Sequence, residues 1–184
     1  PAIVMSVSFS GELAYEIHLP NSALFAAYSA LMRAGAAHDI GHFGARAVDS
    51  MRMEKGYLHW KSDLITEFDP YETGLDRFVC RDKDFLGKAA LMARGDKKRR
   101  RLRMLEIDAT HASPQPSDSL YAGGRLIGSV TSADWGYRTG KNIAYAFMQP
   151  DIVEGITVDI IGKPYAARLL NGPVYDPDNS RVKS

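Results

Sequence analysis

A run of charged residues, Gly95-Asp96-Lys97-Lys98-Arg99-Arg100-Arg101, splits the sequence into two parts that follow different periodicities. Before it, apolar residues return at the three-to-four spacing that puts them on one face of a helix. After it, that spacing gives way to short apolar segments bounded by glycine, the mark of strands and tight turns. The expected organisation is a first domain over residues 1–95, a basic linker over 96–101 and a second domain over 102–184. A chain of 184 residues is long enough for such units to bury a real core.

In the first part, residues 3–9 and 13–19 are rich in strand formers, and Gly11 offers a turn between them. Asn21 and Ser22 are placed to cap a helix whose Leu24, Tyr28, Leu31 and Met32 share a face and which stops at Gly35. Val48, Met51 and Lys55 set a second helix over 45–55, stopped by Gly56, with Arg46 and Asp49 near each other at i and i+3. Arg52 and Glu54 read as solvated charges of that helix. A third helix over 85–94 follows from an Asp84 cap and a Gly95 stop. Beyond the basic run, segments 102–107, 119–122, 125–132, 143–148, 157–161 and 164–170 read as strands, with hairpin turns at Gly123-Gly124 and Gly162-Lys163. Many short strands with glycine turns describe a small barrel or a sandwich.

Composition removes several function classes. Hydrophobic residues at 45% and charged residues at 24% are those of an ordered globular protein. A net charge of +1 provides no overall field for nucleic acid or an anionic membrane, so neither is expected as a partner. The basic run lacks interleaved aromatics and reads as a solvated linker. No apolar stretch approaches a membrane span, so a soluble, cytoplasmic protein is expected. Cys80, the single cysteine, excludes an internal disulfide and reads as a small buried hydrophobe. The five histidines are scattered at spacings that suit no metal, and none is expected. Glycine-rich nucleotide loops are absent, so a flavin would bind only in a domain upstream of this sequence. The sequence opens at Pro1 directly on the strand-like Ala2-Ile3-Val4-Met5, as expected of a piece of a longer chain.

Three segments, in order, resemble one family. Ser8-Phe9-Ser10-Gly11-Glu12-Leu13-Ala14-Tyr15-Glu16-Ile17 is similar to an aromatic-Thr/Ser-Gly-Glu-x-x-aromatic-Glu-Ile signature. Gly44-Ala45-Arg46-Ala47-Val48-Asp49-Ser50-Met51-Arg52-Met53-Glu54-Lys55-Gly56 is similar to a Gly-Ala-Arg-x-x-Asp-Ser-Leu-Arg-x-Glu-x-Gly helix. Asp82-Lys83-Asp84-Phe85-Leu86-Gly87-Lys88-Ala89-Ala90-Leu91 is similar to a Lys-x-Asp-Phe-Ile-Gly-x-x-Ala-Leu stretch. These belong to the T-protein, or aminomethyltransferase, family of glycine cleavage. The module also ends the dimethylglycine and sarcosine dehydrogenases, and His59-Trp60 and Tyr71-Glu72-Thr73-Gly74-Leu75 resemble that branch more.

The resemblance implies an α+β fold, a partial T-protein-type folate domain followed by a small antiparallel β-barrel. It implies tetrahydrofolate as cofactor and a one-carbon unit taken from an N-methyl amino acid or an aminomethyl carrier. Glu16 matches the residue that accepts the side-by-side donors of a reduced pterin, and Arg46 the residue that holds folate polar groups. On a strand expected to be largely buried, the Glu16 carboxylate requires a partner. Phe9 stands where the family has tyrosine, keeping the ring for stacking and losing the hydroxyl. Tyr175 lies where the last domain returns to the folate, and Trp135 and Tyr137 either line the same mouth or pack a hairpin. The family's catalytic Asp lies upstream of this sequence, so catalysis by the chain alone is not expected. The upstream half of the same polypeptide is the expected partner, and an apolar face near residues 3–9 would remain for it, or for a homodimer, to cover. The alternative is a non-catalytic interaction module that keeps the fold without folate.

Overall fold

The computed structural model describes residues 1–95 and 99–183, so residues 96–98 of the basic run lie outside the described part. The fold is α+β. Strands β1 (Ile3–Met5) and β2 (Glu16–His18) form an antiparallel ribbon, followed by helices α1 (Asn21–Gly35), α2 (Ala45–Lys55), α3 (Pro70–Thr73) and α4 (Lys88–Arg94). Six strands follow: β3 (Arg101–Ile107), β4 (Ser119–Ala122), β5 (Arg125–Gly136), β6 (Lys141–Met148), β7 (Ile156–Ile160) and β8 (Lys163–Leu170). They close into an antiparallel barrel in the order β3-β6-β5-β4-β7-β8, which decides between barrel and sandwich. Among the described residues, no helix is long and apolar enough to cross a membrane.

The barrel is held by what its strands put inside. Leu105, Leu120, Ile127, Met148, Val158 and Ile160 fill the interior, each at most 3% exposed. Removing one such side chain from water stabilises by about 1.5–3 kcal/mol. β6 is buried from Asn142 to Met148 because both its faces are covered. Ala144, Ala146 and Met148 join the interior, while Ile143, Tyr145 and Phe147 join a second cluster on the barrel's outer wall with Met53 of α2, Leu58 and Phe68. That second cluster fastens the first part of the chain to the barrel.

Local geometry departs from the sequence reading where backbone conformation overrides composition. The helix α1 starts at Asn21 after Pro20, with no side-chain cap, and runs through Gly35 into a 3-10 turn that stops at Asp39, whose φ is 53°. The third expected helix is shortened to α4 because Gly87 is left-handed at φ 87°, which no continuous helix over 85–94 allows. The β4–β5 hairpin turns at Gly123-Gly124 as expected. The β7–β8 hairpin turns one residue earlier than read, on Ile161 (φ 52°) and Gly162 (φ 74°). Both strands of the opening ribbon are shorter than expected and every residue in them is exposed, so Glu16 does not sit on a buried strand. The apolar face expected near residues 3–9 is present: Ile3 is 64% and Val4 60% exposed. Cys80 is exposed rather than buried, because the loop after the 3-10 turn at Asp76–Phe78 lies on the surface.

Candidate functional site

Helix α2 organises the seam between the two parts. Gly44 enters it in extended conformation, and Gly56 ends it at φ 76° with its N–H on the carbonyls of Arg52 and Met53. Ser50, Met53 and Glu54 stand at i, i+3 and i+4 and face the barrel. Arg52, Glu54 and Lys55 are buried rather than solvated. Their partners come from distant sequence, and each charge is compensated, as burial requires.

Arg52 Nη1 donates to Asp63 at 2.8 Å, and Asp63, itself fully buried, also accepts from His59 N at 2.8 Å, Thr131 Oγ1 at 2.5 Å and Ser132 Oγ at 2.6 Å. Glu54 accepts from Arg138 Nε at 2.6 Å and from Thr139 through its N–H at 2.8 Å and its hydroxyl at 3.0 Å. Lys55 Nζ donates to the Asp176 carboxylate at 2.7 Å and to its carbonyl. The Lys55 hydrogen bond, with those of Ser180 and Arg181, holds the Asp176 carboxyl well below the usual range.

Arg138 lies in the turn between β5 and β6 and is the hub. It reaches Glu12 at 2.7 Å, the Met51 carbonyl at 2.7 Å and the Ser10 carbonyl at 3.2 Å, and its guanidinium lies 3.7 Å from the Tyr175 ring centre. Burial works against its charge, but the bonds to Glu54 and Glu12 outweigh burial and raise its pKa. Tyr175 donates to Glu12 at 2.6 Å, which raises the phenol pKa.

Against this hub lies a cleft of about 670 Å³ between α2 and the β5–β6 turn, lined by Arg46, Ala47, Ser50, Met51, Glu54, Asp134, Tyr137 and Arg138. Arg46 and Asp134 also line a cleft of about 360 Å³ on the other flank of α2, so the pair stands between two openings. Burial pushes the Asp134 carboxyl up, with Asp49 adding to the rise, while the Trp135 N–H, Arg46 and Arg52 oppose it. Met51 and the Tyr137 ring give the larger cleft apolar surface beside Arg46 and Asp134, its Glu54 and Arg138 being bound to each other, which suits a flat ligand with polar edges.

The four residues singled out from sequence are not brought into one cluster. Arg46 lines the cleft. Tyr175 supports the cleft from behind, through Arg138. Phe9 stacks on Tyr57, centres 6.4 Å apart, and lies 6.1 Å from His59. Glu16 is on the exposed ribbon, paired with His18 at 3.1 Å, and is not among the residues lining the cleft. Tyr137 lines the mouth; Trp135 lines a different hollow at the barrel end. Sequence reasoning missed Asp134, Arg138 and Glu54. The one available signal was the shared face of Ser50, Met53 and Glu54, which placed a carboxylate where a core residue belongs.

Comparison with known proteins agrees with this architecture. The family model for the GCVT N-terminal domain matches residues 1–83, and that for the glycine cleavage T-protein C-terminal barrel domain matches residues 100–176. The chain belongs to the glycine cleavage T-protein family. Among T-protein relatives, mitochondrial sarcosine dehydrogenase of Mus musculus is 36% identical over 96% of this chain and 21% of its own length. Mitochondrial dimethylglycine dehydrogenase of Rattus norvegicus is 31% identical over 100% of the chain and 22% of its own. An aminomethyltransferase of Thermotoga petrophila is 30% identical over 95% of the chain and 48% of its own. The crystal structure of aminomethyltransferase T from Bartonella henselae shares the fold with a TM-score of 0.84 at 22% identity, over 96% of this chain and 50% of that one. The chain thus spans about a fifth of the dehydrogenase relatives and about half of the aminomethyltransferases.

Proposed function

We propose that the chain is the tetrahydrofolate-holding part of a one-carbon transfer enzyme of aminomethyltransferase type, joined upstream to an N-methyl amino acid dehydrogenase. Residues 1–95 are the second half of its folate domain, 96–101 the linker and 102–184 the barrel domain. The observation that carries the reading is the cleft at the seam, where Arg46 and Asp134 stand beside Met51 and Tyr137. A reduced pterin has ring and exocyclic N–H donors for a carboxylate and a carbonyl for a guanidinium. Arg46 holds the folate's polar groups, and Asp134 accepts from its donors. Tyr175 acts through Arg138, whose position it fixes. Glu16 and Phe9 are assigned as folate contacts on their motif; their geometry in this chain adds no support.

The catalytic carboxylate and any flavin belong to the upstream half. That half is the partner of the ribbon and α1, whose Ile3, Val4, Phe25 and Tyr28 are exposed. The exposed Cys80 suits a reducing compartment, cytoplasmic in our reading; the rodent relatives named above are mitochondrial.

The test is tetrahydrofolate affinity of the polypeptide extended through its upstream half. Arg46→Ala is expected to weaken binding at least tenfold and Glu16→Gln less. Unchanged affinity in both variants would refute the assignment.

A further inference from the structure

We infer that Arg138 is the positioning residue of the cleft at Arg46: from the β5–β6 turn it holds the loop of the opening ribbon and the second half of α2 in one register. The role rests on the tetrahydrofolate reading for its ligand, and on contacts within this chain for the rest.

The Arg138 guanidinium lines the cleft, yet its donors are engaged by the protein itself. Nε donates to Glu54 at 2.6 Å, Nη1 to Glu12 at 2.7 Å, and Nη2 to the carbonyls of Met51 at 2.7 Å and Ser10 at 3.2 Å. Four of the five N–H groups of a guanidinium are thereby used. One of its faces is covered by the Tyr175 ring, whose centre lies 3.7 Å from Cζ. A side chain so occupied places other residues rather than holding a ligand.

What it places comes from distant sequence. Ser10 and Glu12 lie 128 and 126 residues before Arg138, and Met51 and Glu54 lie 87 and 84 before it. Tyr175 closes the set by donating, at 2.6 Å, to the same Glu12 oxygen that Arg138 holds. Two close approaches show how near the pieces stand. A Cβ at Gly136 would lie 2.7 Å from Glu54 Cγ, so only glycine lets the turn come this close to α2. A Cβ at Gly11 would lie 2.7 Å from Lys55 Cγ, so the ribbon loop rests on the Lys55 stem.

The anchored loop leads directly into the ribbon. From Glu12 to Glu16, where β2 begins, extended chain reaches about 14 Å at most. Both strands of the ribbon are exposed, so the anchor of the loop sets where the ribbon stands relative to Arg46. Loss of Arg138 frees that loop and strips the fully buried Glu54 of its cation. Lysine is no substitute, because a single ammonium on a flexible stem does not span acceptors on both segments.

The test is a double-mutant cycle in tetrahydrofolate affinity, run on the polypeptide extended through its upstream half. Arg138→Gln is expected to weaken binding about tenfold in the wild-type background and less than about twofold in an Arg46→Ala background, because Arg46 is what it places. Arg138→Lys should do no better than Arg138→Gln. Glu12→Gln, which removes only the tie to the ribbon loop, should weaken binding about threefold and add nothing to Arg138→Gln. Arg125→Gln, exposed on the β4–β5 hairpin, should change nothing. A merely structural role would lower the urea midpoint while the folded protein binds as before, or give the same factor in both backgrounds; either result overturns the inference. Should Arg138→Gln not fold, Glu12→Gln and its cycle with Arg46→Ala decide. Wild type that does not bind refutes the folate reading instead, and the positioning role is then judged by hydrogen exchange without ligand. There Arg138→Gln must release residues 8–13 and 51–55 together while β4 and β7 stay protected, and anything less overturns it.

Discussion

The barrel and the part that precedes it use opposite materials. Inside the barrel, twelve buried apolar residues form one core, to which every strand but β8 contributes, and β8 packs the partly buried Tyr165, Ala167 and Leu169 against it. Before the basic run, only Met53 and Tyr71 are buried hydrophobics among the described residues, and α1, fifteen residues long, buries none of its side chains. Yet Arg52, Glu54, Lys55, Asp63 and Glu72, the buried charges among the described residues, all come from this first part. The barrel is thus held by apolar burial, while the first part is docked onto it by compensated charge beside the small apolar cluster of Met53, Leu58 and Phe68. Buried ion pairs add little net stability, because desolvation offsets their attraction, but they penalise any misplacement heavily. Their contribution here is register: they fix α2, and with it Arg46, against the β5–β6 turn.

Breaking the docking should cost most. Asp63→Ala strands Arg52, Thr131 and Ser132 without their shared acceptor and is expected to destabilise by about 3–5 kcal/mol in urea unfolding. A loss under 1 kcal/mol would mean that buried charge does not hold the seam. Leu120→Ala, inside the barrel, should cost about 2–5 kcal/mol through lost transfer energy and a cavity. The two should separate in hydrogen exchange: the first opens α2 while leaving β4 to β7 protected, and the second loosens the barrel.

Acid sharpens the same contrast. Because the Asp176 carboxyl is held below its ordinary value by Lys55, this tie stabilises fully above about pH 4 and is lost as pH falls through the depressed value. Asp134 acts with the opposite sign: its raised pKa means that its charge costs stability near neutrality, a cost relieved on protonation. Urea midpoints measured from pH 7 to pH 2 should therefore fall more steeply for wild type than for Asp176→Asn.

Two smaller effects test the barrel's turn and the first part's surface. Ile161 is β-branched, left-handed and 89% exposed, so Ile161→Asn should raise stability by about 1 kcal/mol in thermal melts. Phe25, 80% exposed on α1, should accept Phe25→Ser in this chain with a change within about 0.5 kcal/mol. A large loss there would show that α1 packs in solution as it does not here.

Legibility followed the same division. β4 and α2 were read to the residue, and the other barrel strands were misread only at their ends, β7 running one residue too far into Ile161, because alternation and glycine turns are local signals. The ribbon was overextended because strand propensity around Val7 and Leu13 reports composition, and pairing stops at Met5 and Glu16. The seam was hidden for a different reason. A Glu and an Arg on a helix look solvated until partners 84 and 11 residues away fold against them. Cleft residues such as Asp134 and Arg138 belong to a strand end and a turn whose place relative to α2 is set only by tertiary contact. Arg46 was legible because a motif carried it.

The most direct measurement is hydrogen exchange of the polypeptide extended through its upstream half, with and without saturating tetrahydrofolate. The account predicts added protection in α2 and in residues 134–139, the two walls of the cleft at Arg46. Protection that appears elsewhere and leaves both walls unchanged would contradict it.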